Sequence, residues 1–428
     1  MWLPNLADVA WMTDVLSRHG GTLGLPGDVA AVELLDARLT HPFRPASPRC
    51  RGWATYLVTS QGADPVRLYV KGFPAGGESQ AAWQQDRVTR GAGRSAYLHE
   101  LDLVVWRFPE DPRLPALPAL VTPRLAARIM PPAVRDLLGS SPGDELRTTV
   151  VRYQPEVSAT LRLEVDRDGA PAVFAKHLAD GAATAVASRH QALWSTPDRP
   201  PELRIAEPLA ADPARGVLWT RGVAGHPLAE TVDADQLPYA TASVGAMLAA
   251  LHASSVHVTQ DVVVDDLLAE ARSKAAKLAR AHPVVASVVT DLVAATTRRR
   301  GDAVHERVRT LHGDFHLAQL VSSSRGPVLV DLDSMMHGPP EVDLAEFLAE
   351  LALRGLPEGV TQEVARGLLS SYSSASGIEI DAALLETCAD IEFLNRCYRH
   401  LRRHAPGWQS ALETALGRHA GMRSLLRV

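Results

Sequence analysis

A short polar segment at residues 312–319, followed by an acid-bearing apolar run, constrains this chain more than any other feature. The segment reads His-Gly-Asp-Phe-His-Leu-Ala-Gln and places Asp314 five residues before Gln319. Val-Leu-Val at 328–330 follows, and Asp331 comes directly after it. Two short apolar runs with a turn between them predict a β-hairpin over residues 320–332. The fold must therefore bring a loop acid, an amide and a strand-end acid together.

These residue types suit phosphoryl transfer. Asp314 is the candidate catalytic base, because a carboxylate can accept a hydrogen bond from an attacking hydroxyl and align it with a phosphorus atom. Gln319 and Asp331 offer oxygen ligands suited to a hard cation such as Mg²⁺. Asp333 stands two residues after Asp331, so we expect it to point the same way along an extended chain and to support the metal ligands.

Two histidines and a further acid flank this set. We expect His312 and His316 to be supporting residues rather than a zinc site, since no third nitrogen or sulfur ligand stands nearby. Asp343 precedes Leu-Ala-Glu-Phe. We expect Asp343 to accept hydrogen bonds from loop backbone at the start of a helix. The alternative is an acid that only interacts favourably with the N-terminus of its helix.

Lysine is rare in this chain: four of its 44 basic residues are Lys and the rest are Arg. Lys71 and Lys176 end the strand-like runs Arg-Leu-Tyr-Val-Lys and Ala-Val-Phe-Ala-Lys. An ammonium group is a compact point charge suited to a phosphate, and Arg does not replace it. We therefore expect these lysines to be kept for their geometry; the alternative is a lysine that only reaches solvent from a strand end.

The pattern divides the chain into three units, at 1–145, 146–225 and 226–428. The first two are β-rich, and the second repeats the first as strand, strand, turn, strand and lysine, with 43–45 and 53–58 corresponding to 151–155 and 160–165. Two unrelated β-meanders are the alternative to this repeat. The third unit is helical and carries the hairpin. We therefore predict an α+β fold with a β-rich cap, a β-rich N-lobe and a helical C-lobe.

Apolar periodicity predicts an amphipathic helix over residues 5–18. It also predicts helices through the third unit, at 239–252, 262–281, 285–300, 341–354, 361–375, 382–403 and 407–425.

Composition excludes several classes of protein. A net charge of −5 and a pI near 6.3 argue against binding to nucleic-acid phosphates. The three cysteines form no CxxC pair, and the N-terminus has no basic leader, so we expect a cytoplasmic protein. No apolar run approaches the roughly 20 residues of a membrane span.

The polar loop, Leu-Val-Asp at 329–331, Gly338 and Asp-Leu-Ala at 343–345 together resemble the aminoglycoside phosphotransferase family. Trp-Thr-Arg-Gly-Val-Ala-Gly at 219–225 is similar to that family's connector between lobes, and Leu-Ala-Ala-Leu-His at 248–252 fits the following helix. The resemblance covers roughly residues 146–428 and implies a bilobal protein-kinase-like fold that uses ATP and Mg²⁺.

The resemblance also implies roles for single residues. It places Lys176 on the α- and β-phosphates of ATP, and the backbone of Trp219, Arg221 and Gly222 against the adenine. Asp314 would be the base, and Gln319 with Asp331 would bind Mg²⁺.

Three departures from the family pattern stand out. Gln319 stands where most members of the family have Asn. In having Gln at this position and an N-terminal cap, the chain resembles bacterial maltose and glucosamine kinases. The helix glutamate that would pair with Lys176 is missing, and Gln191 occupies about its place. No glycine motif grips the phosphates, so the turn at 154–158 is expected to do so with backbone amides.

The sequence therefore predicts an ATP- and Mg²⁺-dependent phosphotransferase whose partner is a small-molecule hydroxyl acceptor, either a sugar, an amino sugar or an aminoglycoside-like compound. A maltose- or glucosamine-type kinase is the narrower alternative, and a pseudokinase that only binds is the alternative of another class. Eleven acids against two arginines over 341–392 suggest a cationic acceptor, or simply solvent-facing helices. The task of residues 1–145, any function of Lys71 and the oligomeric state are not predicted.

Overall fold

The computed structural model describes residues 3–40, 51–73, 78–91, 93–139, 146–167, 170–230, 233–300 and 307–426. This part of the chain contains two five-stranded antiparallel sheets, two smaller sheets and a set of helices that occupies most of the C-terminal half.

The first sheet is formed by the N-terminal residues and has the strand order β1-β2-β3-β5-β4. The helix α1 covers one face and begins at Asp8, whose carboxylate accepts a hydrogen bond from the Trp11 N–H at 3.1 Å. Met12 and Leu16 of α1 are buried there against Tyr56. The elements of this unit are α1 (Val9–His19), β1 (Val29–Thr40), β2 (Arg51–Ser60), β3 (Val66–Gly72), α2 (Glu78–Arg90), β4 (Ser95–Leu98) and β5 (Leu103–Arg107).

Three short helices connect the two sheets and pack beneath the second. They are α3 (Leu117–Val121), α4 (Pro123–Ile129) and α5 (Pro132–Leu138). Their apolar residues share one core with Leu161, Ala175 and Trp219 of the second sheet. Residues 114–138 are thus packed with the unit that follows them, and the predicted division at 145 stays a prediction.

The second sheet repeats the topology of the first. Its order is β6-β7-β8-β10-β9, and α6, like α2, follows the third strand. Lys71 on β3 and Lys176 on β8 therefore occupy the same strand of each sheet. The predicted counterpart at 43–45 lies outside the described residues, and the first strand of the first sheet is β1. The elements are β6 (Arg147–Gln154), β7 (Ser158–Glu164), β8 (Val173–Leu178), α6 (Ala182–Trp194), β9 (Pro208–Asp212) and β10 (Val217–Arg221).

The helical lobe follows β10. Its helices are α7 (Leu237–Thr241), α8 (Val244–His252), α9 (Val264–Ala281), α10 (Ala286–Arg300), α11 (Glu341–Leu353), α12 (Glu358–Ser376), α13 (Ala382–Arg403), α14 (Trp408–Gly417) and α15 (His419–Leu425). Short strands lie among them: β11 (His226–Pro227), β12 (Arg309–Leu311), β13 (Leu320–Ser322), β14 (Val328–Leu329) and β15 (Met336–Gly338).

The predicted hairpin is present as β13 and β14, which pair antiparallel, and it lies inside the helical lobe. The predicted fold class, α+β with a β-rich lobe and a helical lobe, is confirmed. The N-terminal residues are β-rich, as the sequence predicts, while their role as a cap stays a prediction.

Candidate functional site

The polar loop after β12 is fixed to the first turn of α11 by Asp343. The Asp343 carboxylate accepts hydrogen bonds from the N–H groups of His312 (2.7 Å) and Gly313 (2.9 Å), and His252 Nε2 lies 3.0 Å from it. Burial disfavours the Asp343 carboxylate, but the hydrogen bond and charge of His252, with help from the loop, hold its pKa below the usual value. Gly313 has φ +77°, and a Cβ there would lie 2.2 Å from the Ser334 carbonyl oxygen, so only glycine fits.

Asp314 projects from this anchored loop. Gln319 Nε2 donates a hydrogen bond to Asp314 Oδ2 at 3.1 Å, and His316 Nε2 lies 3.5 Å from Oδ1. Burial disfavours the charged form, but His316, then His312 and Gln319, outweigh it and hold the pKa of Asp314 far below its usual value. Asp314 is therefore a carboxylate near neutral pH, and as a weak base it is better suited to orient a hydroxyl than to remove its proton early.

Gln319 joins Asp314 to Asp331. Its side chain is buried, and Nε2 lies 3.4 Å from Asp331 Oδ2 as well as 3.1 Å from Asp314 Oδ2. An amide binds metal through its oxygen, so ligation would require the Gln319 amide to turn that oxygen toward Asp331.

Asp331 is not part of the hairpin strand, which ends at Leu329. It adopts the left-handed conformation (φ 63°, ψ 60°), and the chain then forms a 3₁₀ turn over 332–334. The expectation that Asp333 follows Asp331 along an extended chain is wrong. The turn nevertheless brings both carboxylates to one cation, Lys176.

Lys176 bridges the lobes. Its Nζ lies 2.5 Å from Asp331 Oδ1 and 2.6 Å from Asp333 Oδ2. Burial alone would lower the pKa of Lys176, but the two carboxylates raise it. Burial raises the pKa of Asp333 and the neighbouring Asp331 charge adds to this, whereas in Asp331 the Lys176 ammonium outweighs burial and lowers the pKa. Two carboxylates beside an amide form a hard, anionic donor set that fits Mg²⁺.

The helix α6 contacts the turn that carries Asp333, whereas the sequence placed its Gln191 where a partner of Lys176 would stand. Gln191 does not approach Lys176; its side chain is exposed and donates to Ser195 Oγ at 2.8 Å. Arg189, two residues earlier, donates from Nη2 to the Asp333 backbone oxygen at 2.9 Å. The helix α6 thus contributes a cation, Arg189, that holds the turn carrying Asp331 and Asp333. Lys176 takes its carboxylate partners from that turn in the other lobe.

The connector predicted to bind adenine begins on β10. Trp219 is buried within the sheet, and Arg221 directs its side chain to Glu207. The N–H groups of Arg221 and Gly222 donate to the carbonyl oxygens of Glu207 and Ala172, each at 2.8 Å. An adenine contact here would need other backbone groups of the connector, so the predicted role of these residues stays a prediction.

Arg152 on β6 is a candidate that the sequence pattern does not single out. Its Nη1 lies 3.9 Å from Asp331 Oδ2, and its side chain is 58% exposed at the cleft. The only signal in the sequence is its position just before a turn, which many surface arginines share.

The turn at 154–158 does not offer free amides for phosphate. Pro155 has no N–H, the Glu156 N–H donates to Asp111 Oδ2 at 3.0 Å, and the Val157 N–H donates to the Gln154 oxygen at 3.1 Å. The expectation that these amides grip the phosphates is therefore wrong, because the protein itself already satisfies them.

The two loop histidines are held within the protein. His312 is buried and its Nε2 lies 3.0 Å from the Val330 oxygen, while His316 Nδ1 accepts from the Ala318 N–H at 3.2 Å. Within the described ranges, no three His, Cys, Asp or Glu side chains form a metal-binding group. Among the helices that the structure describes, none is both long and apolar enough to cross a lipid bilayer.

Comparison with known proteins agrees with this geometry. Residues 164–379, half of the chain, match the model of the phosphotransferase enzyme family. No curated protein sequence matches the chain.

Solved structures that match the chain include a kinase family protein and two phosphotransferases. A choline/ethanolamine kinase family protein from Mesorhizobium loti is 16% identical, with 72% of this chain and 92% of that chain covered and a TM-score of 0.45. A macrolide 2′-phosphotransferase from Brachybacterium faecium is 15% identical, with 63% and 91% covered and a TM-score of 0.45. A spectinomycin phosphotransferase bound to ADP and spectinomycin is 12% identical, with 67% and 94% covered and a TM-score of 0.47. On the strength of the family match, this chain belongs to the phosphotransferase enzyme family.

Proposed function

We propose that the chain transfers the γ-phosphoryl group of ATP to a hydroxyl group of a small molecule and uses Mg²⁺ to do so. One observation supports this most: Lys176 of the second sheet meets Asp331 and Asp333 of the helical lobe at 2.5 and 2.6 Å, and Gln319 links Asp331 to Asp314. In the proposed roles, these contacts would bring a phosphate-binding cation, metal ligands and a base into one cleft.

In this proposal Asp314 accepts the hydrogen bond of the acceptor hydroxyl and directs its oxygen toward the γ-phosphorus. Asp343 contributes by fixing the backbone of the loop, so that the carboxylate is already in place before substrate arrives. Asp331 and Gln319 would hold Mg²⁺, which supplies positive charge against the phosphates.

Lys176 changes partners in this proposal. Its ammonium pairs with both Asp331 and Asp333 in this structure. When a divalent cation takes over the carboxylates, the Lys176 ammonium becomes available to the α- and β-phosphates. Arg152, at the rim of the same cleft, would add a second cation for the phosphates.

The nature of the acceptor is less constrained by charge than the sequence suggests. Most acids of the 341–392 region are already engaged: Glu350 with Arg354, Glu386 and Asp390 with Arg299, and Glu392 with Arg396, while Glu341 and Asp381 bond backbone N–H groups. They do not form a free acidic wall, so a cationic acceptor has no special support. Gln319 favours a sugar or amino sugar, as in maltose- and glucosamine-type kinases, over an aminoglycoside-like compound.

A binding module without phosphoryl transfer is the competing function, and the absence of an α6 acid beside Lys176 favours it. Both functions are tested by measuring Mg²⁺–ATP binding by calorimetry and ATP consumption over a panel of maltose, glucose, glucosamine and aminoglycosides. We expect at least one hydroxyl acceptor to raise ATP consumption above the acceptor-free rate. Nucleotide binding with no acceptor phosphorylated would favour the binding module, and no nucleotide binding at all would contradict both.

A further inference from the structure

The first sheet contains a lysine at the same place as Lys176, but with a different partner. Lys71 on β3 lies opposite Trp53 and Val104, as Lys176 on β8 lies opposite Thr160 and Leu218. The Lys71 ammonium contacts no acid from the helical lobe among the ion pairs of the described residues. It lies 2.7 Å from Glu156 Oε1 and 2.6 Å from Oε2, and both side chains are more than four-fifths buried.

Glu156 is at the centre of the β6–β7 turn, and β6 carries Arg152 at the rim of the cleft. It adopts a left-handed conformation with φ 60°, which is unfavourable for a non-glycine residue and persists only when the surroundings enforce it. The surroundings here belong to the N-terminal unit: besides Lys71, the Tyr69 hydroxyl donates to Glu156 Oε1 at 3.0 Å.

The backbone of the turn is held by the segment that follows β5. Asp111 is fully buried, and its Oδ2 accepts from the Glu156 N–H at 3.0 Å and from the Tyr153 hydroxyl at 2.8 Å. Its Oδ1 accepts from the Arg113 N–H at 2.8 Å, which orients the carboxylate.

The strand end on the other side of the turn is held in the same way. Arg38 on β1 lies over the Trp53 ring at 5.5 Å and donates to Gln154 at 3.1 and 3.2 Å when the Gln154 amide presents its oxygen. Gln154 and Glu156, two residues apart, are thus each bound to a cation of the first sheet. Arg152, which faces Asp331, lies just before them on β6.

We propose that the first sheet acts as a brace that holds the β6–β7 turn in place, and that Lys71 and Glu156 are positioning residues for nucleotide binding. The inference rests on the proposed function. The turn has no glycine and no free N–H group at 155–157, so it cannot wrap around phosphates as a glycine loop does. Its contribution is to hold β6 and Arg152 at a fixed distance from the turn that carries Asp331 and Asp333. The contacts of the brace with residues 154 and 156 set that distance.

The test uses the full chain with Lys71→Met, Glu156→Gln and the double substitution. We expect the Kd and KM for Mg²⁺–ATP to rise about 3- to 10-fold in each single variant, in line with coupling between neighbouring elements. The double variant should be no worse than either single one, because both remove the same contact. The kcat at saturating ATP and the KM for the acceptor should stay unchanged, whereas a purely stabilising role would lower Tm and leave the KM for ATP alone.

Two further variants keep the test decisive. Glu156→Gly relieves the left-handed strain while it removes the ion pair, so it should fold and still bind ATP more weakly. Arg94→Ala removes an exposed pair with Glu110 in the same unit and should bind ATP as the wild type does.

Amide hydrogen exchange measures how firmly the β6–β7 turn is held and needs no ligand. We expect the N–H groups of residues 156 and 157 to exchange faster in Lys71→Met than in the wild type. Unchanged ATP affinity together with unchanged exchange would overturn the proposal, as would equal weakening by Arg94→Ala. If the wild type bound no nucleotide, the proposed function would fail, and the exchange result would still decide whether the brace exists.

Discussion

At the scale of single residues, the cleft brings three carboxylates, those of Asp314, Asp331 and Asp333, together with the cations Lys176, Arg152 and Arg189. Lys176 is shared by Asp331 and Asp333, while Asp314 accepts a hydrogen bond from Gln319 and lies beside His316. Burial raises the pKa of Asp333, and the neighbouring Asp331 charge adds to this. In the proposed function, a divalent cation held with the nucleotide would add positive charge beside these two carboxylates.

Arg152 tests whether the rim of the cleft binds phosphate. Arg152→Leu should raise the Kd for Mg²⁺–ATP about tenfold, because a hydrogen bond to a charged group contributes about 1.5 kcal/mol or more. The affinity is measured by calorimetry. Arg162→Leu on the adjacent strand is the control, since Arg162 pairs with Glu164 at 2.6 Å, and equal losses in the two variants would remove Arg152 from the site.

Substitution of Asp343 tests how the loop at 312–319 is anchored to α11. Because its pKa is lowered in the folded chain, Asp343 stabilises the fold above the pKa of a free carboxyl, about 3.9, and loses this effect as pH falls through its own lower pKa. Asp343→Asn should lower the free energy of unfolding by about 1–3 kcal/mol at pH 7. Denaturation at pH 7 and at about pH 2.5, below the free value, should show the difference shrinking at the lower pH; an equal difference at both would contradict this account.

The sequence predicts the polar residues of the cleft better than their geometry. Asp331 could be recognised from the apolar run before it, but its left-handed backbone could not, because aspartate adopts that conformation occasionally and the sequence does not mark which aspartate does so. The sequence likewise does not predict which residues pair with Lys176. Residues 176 and 331 are 155 positions apart, and no local pattern relates them.

At the scale of elements, the helical lobe depends on one close approach, between α8 and α12. A Cβ at Gly245 would lie 2.2 Å from both the Leu368 oxygen and Ser371 Oγ, so the two helices touch through their backbones. The helix α8 ends at His252, which lies 3.0 Å from Asp343. The spacing of these helices therefore reaches the loop that carries Asp314.

Gly245→Ala should force α8 and α12 apart and destabilise the fold by about 1–3 kcal/mol. Gly367→Ala on α12 is the matched control, because nothing lies within 4 Å of its added Cβ. That control should stabilise the helix by about 0.5–1 kcal/mol. Urea denaturation measures both, and a neutral Gly245→Ala would show that the contact is not close in solution.

Element boundaries follow from the sequence where apolar periodicity is long and regular. The helices predicted at 262–281, 285–300, 341–354 and 382–403 agree with α9, α10, α11 and α13 within two residues at each end. The segments at 239–252 and 407–425 are each broken into two helices, near residues 242 and 418. Periodicity does not show such breaks, because the apolar stripe continues across them.

At the scale of the whole molecule, two sheets of one topology use their central lysines for different contacts. Lys176 joins the second sheet to the helical lobe, and Lys71 joins the first sheet to the second. A third contact, Arg403 to Asp36 at 3.5 Å, connects α13 back to β1. The repeated strand, strand, turn, strand and lysine pattern in the sequence predicts that the two units are alike, whereas the strand order and the pairing of Lys71 with Glu156 depend on packing that the pattern does not show.

The most direct test of phosphoryl transfer is ³¹P NMR of the wild type and Asp314→Asn with Mg²⁺–ATP and an acceptor from the panel. The wild type should produce a phosphorylated acceptor, and Asp314→Asn should do so about 100- to 10,000-fold more slowly while binding nucleotide as before. Asp166→Asn, an exposed acid on the β7–β8 turn, should behave as the wild type. Phosphorylation at the wild-type rate by Asp314→Asn would contradict the role assigned to the loop and, with it, the central claim.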